Sequence, residues 1–237
     1  RVRLFFLDAK KRTVNIKDDN SVAFQIRSYG WSIGASYSVV TNMDELAIYD
    51  CTAMPRHTDN ADFARVVYMK TENYMDNFDR LNSFLGREET ISNSHRVRFV
   101  GKDSIDKNFS KALSSVRLNL AQAIINGNHY KISIADINLW TQIILNRILF
   151  IRVCEARGLE RDGLLKDFAA TDFWTEFKRS SYIDFYEHYD GPMFARIRHI
   201  QDLIIDNAVF DDLLSYLYYP SPYCFDVIPL KSISDIY

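Results

Sequence analysis

Only three cysteines (Cys51, Cys154 and Cys224), widely spaced and odd in number, stand in the 237 residues. That excludes a disulfide framework and a cysteine-based zinc site, and it points to a reducing compartment. Glycine (8) and proline (5) are scarce as well, which argues against long flexible linkers and low-complexity arrays. A basic excess is missing: 29 lysines and arginines face 31 acidic residues, for a net charge of -2. No global field therefore advertises a nucleic-acid partner, and any grip on phosphate must come from local clusters. No apolar run approaches the roughly 20 residues needed to cross a bilayer, and no leader opens the chain, so the expected setting is the cytoplasm with no membrane partner. The histidines (His57, His95, His129, His188 and His199) never pair across one helical turn, which speaks against zinc.

What is present is core-forming material: 47% hydrophobic residues, with 16 Phe, 14 Tyr and 3 Trp, enough for one large core or two modest ones. The short apolar run Val2–Ala9 reads as a buried strand. After the polar turn at Lys17–Asn20, with Asn20 or Ser21 as candidate N-cap, a helix is predicted over Val22–Trp31. Ser36–Thr41 and Leu46–Cys51 read as strands joined by a turn at Asn42–Asp44. A further strand is expected over Arg65–Lys70, and an amphipathic helix over Tyr74–Gly86. From Ser104 to Gly127 the apolar positions Phe109, Leu113, Val116, Leu120 and Ile124 recur at helical spacing, with Gly127 as a candidate C-cap. A second long helix is expected from Ile134 to Arg157, then helices over Asp172–Phe177, Phe194–Asn207 and Phe210–Tyr218. The expected fold class is thus α/β followed by all-α, with the boundary near residues 90–103. The chain opens inside an apolar strand and closes on Ile236–Tyr237 without a stop signal, so both ends read as cut from something longer.

Asp8 and Lys10, two apart on a strand, point to the same side of it. A carboxylate can ligate a hard cation such as Mg²⁺, and the lysine can position an attacking water or neutralise charge on a phosphate. Alone, the triplet suits an edge-strand ion pair equally well. Gln25 and Tyr29, four apart on the next helix, share a face and offer an amide and a hydroxyl for a sugar-phosphate backbone or for holding the lysine. Taken as an isolated pair, they equally suit a surface glutamine and a core tyrosine.

Other charged positions have bland readings. Arg147, Glu155 and Arg157 stand among apolar residues of the second long helix, where an internal Arg–Glu pair competes with an arginine facing DNA. His95-Arg96-Val97-Arg98 and Arg196-Ile197-Arg198-His199 are the best local basic clusters, although each also suits a solvated face. Cys154 reads as a small buried apolar group.

The order of these parts carries a resemblance. Strand Asp8-Ala9-Lys10, helix Gln25-x-x-x-Tyr29-Gly30-Trp31, then Ser38–Asn42 and Glu45–Asp50 together resemble the nuclease domain of type IIG restriction-modification enzymes. That domain is of the PD-(D/E)xK type and is similar to the nuclease of type I restriction subunits. Tyr74–Asp79 resembles the segment closing that domain. Phe109–Leu113 and Leu145–Leu159 resemble the helical connector that follows it, and Tyr223–Tyr237 the stretch just before the methyltransferase. The resemblance implies a Mg²⁺-dependent DNA endonuclease with Asp8 as a metal ligand, Lys10 as the catalytic lysine, and Gln25 and Tyr29 as the helix motif. It places residues 1–100 in the C-terminal part of an N-terminally incomplete nuclease sheet and 101–237 in the connector. The partners implied are double-stranded DNA and the chain's own methyltransferase and target-recognition domains, with S-adenosylmethionine belonging only to the methyltransferase part. The sequence departs from the family pattern in carrying Asp8 where glutamate is usual, and the family's first catalytic acid would lie upstream of Arg1. The alternative is a non-catalytic DNA- or protein-docking scaffold attached to a methyltransferase.

Overall fold

The computed structural model describes residues 4–96, 105–128, 132–189 and 192–228, without the side chains at 93–96 and 105–106. It divides into two compact units: Arg1–Asn108 together with Pro220–Tyr237, and Phe109–Tyr219.

The first unit is built on a four-stranded sheet of order β1-β2-β3-β4. Its strands are β1 (Phe6–Ala9), β2 (Tyr37–Thr41), β3 (Glu45–Asp50) and β4 (Arg65–Lys70). β1 runs parallel to β2, and β2–β3 and β3–β4 are antiparallel. The parallel pair requires a crossover, and helix α1 (Asn20–Ser32) supplies it. Among the described residues β1 stands at the sheet edge with Leu7 52% exposed, so it is a half-buried strand and not the fully buried one its apolar run suggests. The register aligns Asp8, Val40, Ala47 and Tyr68. These residues face α1, whose Val22, Ala23 and Ile26 close a core with Val40, Ala47 and Tyr49. The other face (Val39, Leu46, Ile48, Val67, Met69) is covered by Leu81, Phe84 and Leu85 of helix α2 (Phe78–Leu85). Helix α3 follows over Arg87–Arg96.

The N-cap of α1 is Asp19, not Asn20 or Ser21. Its backbone is extended, and its carboxylate accepts from the Ser21 amide at 2.8 Å and from the Ser21 hydroxyl at 2.6 Å. Asn20 is engaged elsewhere, accepting from the Ala61 amide at 2.7 Å. At the β2–β3 turn the buried Asn42 accepts from the amides of Asp44 and Glu45 (3.0 and 2.7 Å) and donates to the Val14 carbonyl (2.9 Å). That network holds Met43 in the left-handed region at φ 75° and ties the turn to the loop after β1.

The second unit is helical: α4 (Ile105–Gly127, entering from the first unit), α5 (Ile134–Ala156), α6 (Leu164–Thr171), α7 (Phe173–Tyr182), α8 (Asp184–Tyr189), the single turn α9 (Arg198–Gln201) and α10 (Ala208–Leu217). By length and composition α5 could cross a bilayer, contrary to the expectation that no run comes close. Its apolarity has a local cause: it buries Trp140, Ile144, Leu145, Ile148, Leu149, Ile151 and Val153 on several sides, as the central helix of an all-helical core does. Two charged residues are buried with it. Arg147, 1% exposed, donates to the carbonyls of Met193 (2.7 Å) and Ala195 (2.8 Å). The Glu155 carboxylate accepts from the Leu165 amide (2.9 Å), the Tyr218 hydroxyl (2.6 Å) and Arg152 (3.4 Å). Both therefore serve the interior, and the internal ion pair is made with Arg152. Cys154 is buried as expected. Arg198, 90% exposed, lies near Asp202, and His199 stacks on Trp140. In the other basic cluster Arg98 lies outside the described residues, as do the side chains of His95 and Arg96.

The expected helix over Phe194–Asn207 shrinks to α9. Its remaining backbone groups find side-chain partners instead: Asn128 brackets Ile204 through its amide (3.1 Å) and carbonyl (3.0 Å), Trp174 donates to Leu203 (2.8 Å) and Lys178 to Gln201 (3.2 Å). Gly127 ends α4 for a reason other than a left-handed cap, since a Cβ there would lie 2.1 Å from the Ile204 carbonyl oxygen.

A candidate carboxylate–lysine site on the first unit

β1 and α1 bring the expected site residues together. Alternation along β1 turns Phe6 and Asp8 toward α1, and Lys10 follows on the same side, its amide still bonded to Thr41 at 2.7 Å. The Lys10 ammonium sits 2.8 Å from Asp8 Oδ2 and 2.6 Å from Gln25 Oε1. The Lys10 and Asp8 side chains keep 20% and 25% of their surface exposed, so the pair is reachable from solvent. One helical turn on, the Tyr29 ring stacks on Phe6 with centroids 4.8 Å apart. The Tyr29 hydroxyl is hydrogen-bonded to Gln25 and also to Asp226. Burial, then the nearby Asp226 charge, pushes the Tyr29 hydroxyl up to about 12, so it remains a neutral phenol at ordinary pH.

Asp226 is the member of this group that sequence reasoning missed. It arrives on the segment after Pro220, which packs with the first unit although it follows the helical one in the chain. No spacing rule links residue 226 to residue 29. The only sequence signal is that Tyr223–Ile228 alternates large apolar groups with Cys224 and Asp226, as an anchored segment does.

The close fit of α1 against the sheet depends on Gly30. A Cβ there would fall 2.0 Å from Ser38 Oγ and 2.5 Å from Cys51 Sγ. Those two atoms touch each other at 3.1 Å, and the Cys51 thiol is pushed up to about 12 by burial.

Among the described residues no group of three His, Cys, Asp or Glu side chains could hold a metal ion. Asp8 offers a single hard oxygen ligand. Mg²⁺ is commonly held by one or two carboxylates with the remaining positions filled by phosphate oxygens and water, so Asp8 fits as one ligand of an ion bound jointly with a phosphodiester.

No protein-family model and no solved structure matches the chain. In sequence the chain is similar to the Type II restriction enzyme and methyltransferase RM.Eco57I of Escherichia coli, at 30% identity over 244 aligned positions. The match covers 99% of this chain, which spans 24% of that protein's length.

Proposed function

We propose that this chain is part of a type IIG restriction-modification enzyme, carrying the C-terminal part of a PD-(D/E)xK-type nuclease domain and a helical connector. In that reading it cleaves double-stranded DNA in the cytoplasm, with its methyltransferase and target-recognition parts elsewhere in the polypeptide. The observation that carries the reading is the Lys10 ammonium held between Asp8 and Gln25 on a solvent-reachable strand end. The similarity to a restriction enzyme and methyltransferase along nearly the whole chain supports it.

The chemistry follows from the side chains. Lys10 carries a fixed positive group to the place where charge develops on a phosphate under attack. Gln25 restrains that ammonium, and Tyr29, stacked on Phe6, restrains Gln25. Asp8 supplies an oxygen ligand, and bound Mg²⁺ would neutralise the charge on the phosphodiester oxygens. The solitary Asp8 carboxylate is what favours the second reading, a docking scaffold without cleavage.

Plasmid cleavage by the full-length protein with Mg²⁺ separates the two. Lys10→Ala is expected to lower the cleavage rate by about two to three orders of magnitude, with methylation and the thermal unfolding midpoint unchanged. Asp8→Asn is expected to do the same, since a neutral amide is a poorer Mg²⁺ ligand. Cleavage by Lys10→Ala at the wild-type rate would place the active site elsewhere, and a wild-type protein unable to cut would leave the scaffold.

A further inference from the structure

We infer that Asp226 is a positioning residue of this site, holding the Tyr29 hydroxyl and through it the Gln25 amide and the Lys10 ammonium. The inference rests on the nuclease reading above and adds to it a residue from a distant part of the chain.

Hydrogen-bond polarity makes the chain of contacts directional. An ammonium can only donate, so Gln25 must turn Oε1 toward Lys10, as it does at 2.6 Å. That leaves the Gln25 Nε2 hydrogens for the Tyr29 oxygen. With its oxygen accepting from Gln25, the hydroxyl has one proton to place, and the Asp226 carboxylate takes it. Without Asp226 the ring stays stacked on Phe6, but the hydroxyl proton loses its fixed direction, and the restraint on Gln25 loosens with it.

Asp226 itself is placed by its neighbours. The buried Ser32 hydroxyl donates to the Pro222 carbonyl and accepts from the Cys224 amide, both at 3.1 Å. Tyr223 packs on Trp31 with centroids 5.5 Å apart, and Phe225 and Ile228 are buried. An exposed carboxylate on a short side chain thus sits between buried anchors, where its backbone fixes its reach. A negative group beside a phosphodiester is otherwise unfavourable, so an incidental surface acid and a positioning acid make opposite predictions.

The test is single-turnover DNA cleavage by the full-length protein with Mg²⁺. Asp226→Ala and Tyr29→Phe are each expected to slow the chemical step about ten- to a hundredfold with KM unchanged, and the double variant to be no slower than either single one. Asp226→Asn, which keeps an acceptor oxygen and drops the charge, is expected to restore most of the rate. Asp226 is exposed, so melting temperatures should match wild type. Tyr29→Phe removes only a hydroxyl and supplies an independent arm if Asp226→Ala fails to fold. Losses that multiply in the double variant, faster cutting by both Asp226 variants, or Tyr29→Phe cutting at the wild-type rate would each overturn the inference. An inactive Lys10→Ala beside a fully active Asp226→Ala sinks this inference alone, whereas a fully active Lys10→Ala sinks the nuclease reading.

Discussion

Replacing Gly30 with alanine tests whether the site depends on the close seating of α1. The added methyl would lie 2.0 Å from Ser38 Oγ, 2.5 Å from Cys51 Sγ and 3.0 Å from Cys51 Cβ. Carbon contacts are comfortable at roughly 3.5–4.0 Å, so α1 must lift from the sheet by about 1 Å or the Ser38–Cys51 contact must break. Alanine gains about 1 kcal/mol over glycine in a helix interior, while overpacking a well-filled core costs about 1–3 kcal/mol. With two neighbours displaced at once, the upper part of that range applies, for a net loss of about 1–2 kcal/mol. The buried Cys51 thiol is the reporter, because a thiol reagent reaches it only when α1 opens from β2 and β3. Labelling of the Cys51 peptide, read by mass spectrometry, should run about 5–30 times faster in Gly30→Ala, as that free energy requires. The penalty should shrink when Ser38→Ala and Cys51→Ala accompany it, with unfolding in urea replacing the thiol readout. Cleavage should fall in the single variant, since Gln25 and Tyr29 ride on α1 while Asp8 and Lys10 stay on β1. Labelling no faster than wild type, or equal penalties in both backgrounds, would refute the close-approach argument.

Two further outcomes concern stability. Glu155→Ala should cost the helical unit about 3–5 kcal/mol, because it leaves Arg152 without its buried counter-charge and the Leu165 amide and Tyr218 hydroxyl without an acceptor; urea unfolding within 1 kcal/mol of wild type would refute it. Asp19, whose carboxyl is lowered by its hydrogen bond to Ser21, contributes stability that is present above the unfolded carboxyl value of about 3.9 and lost as pH falls through its lower folded value. Asp19→Ala should cost about 1 kcal/mol at neutral pH and less below pH 4, whereas Asp19→Asn should keep the cap and flatten that part of the pH profile.

Much of this protein was legible before any coordinates. Period two along Phe6–Lys10 and the four-residue step from Gln25 to Tyr29 are properties of extended and helical backbone, and they suffice to put each pair on one face. The strand at Arg65–Lys70 and both long helices also follow from local pattern, because their apolar positions repeat with the period of the element that buries them. Tertiary structure decided what depends on partners distant in sequence. The stretch after Gln201 has helical periodicity, yet Asn128, Trp174 and Lys178 satisfy its backbone in place of a helix. Gly127 and Gly30 each stand where another chain segment passes too close for a Cβ, and a sequence holds no record of that distance. Asp226 reaches Tyr29 only because the chain re-enters the first unit after its helical excursion. Local pattern fixes which way a side chain points, and long-range packing decides what it meets there.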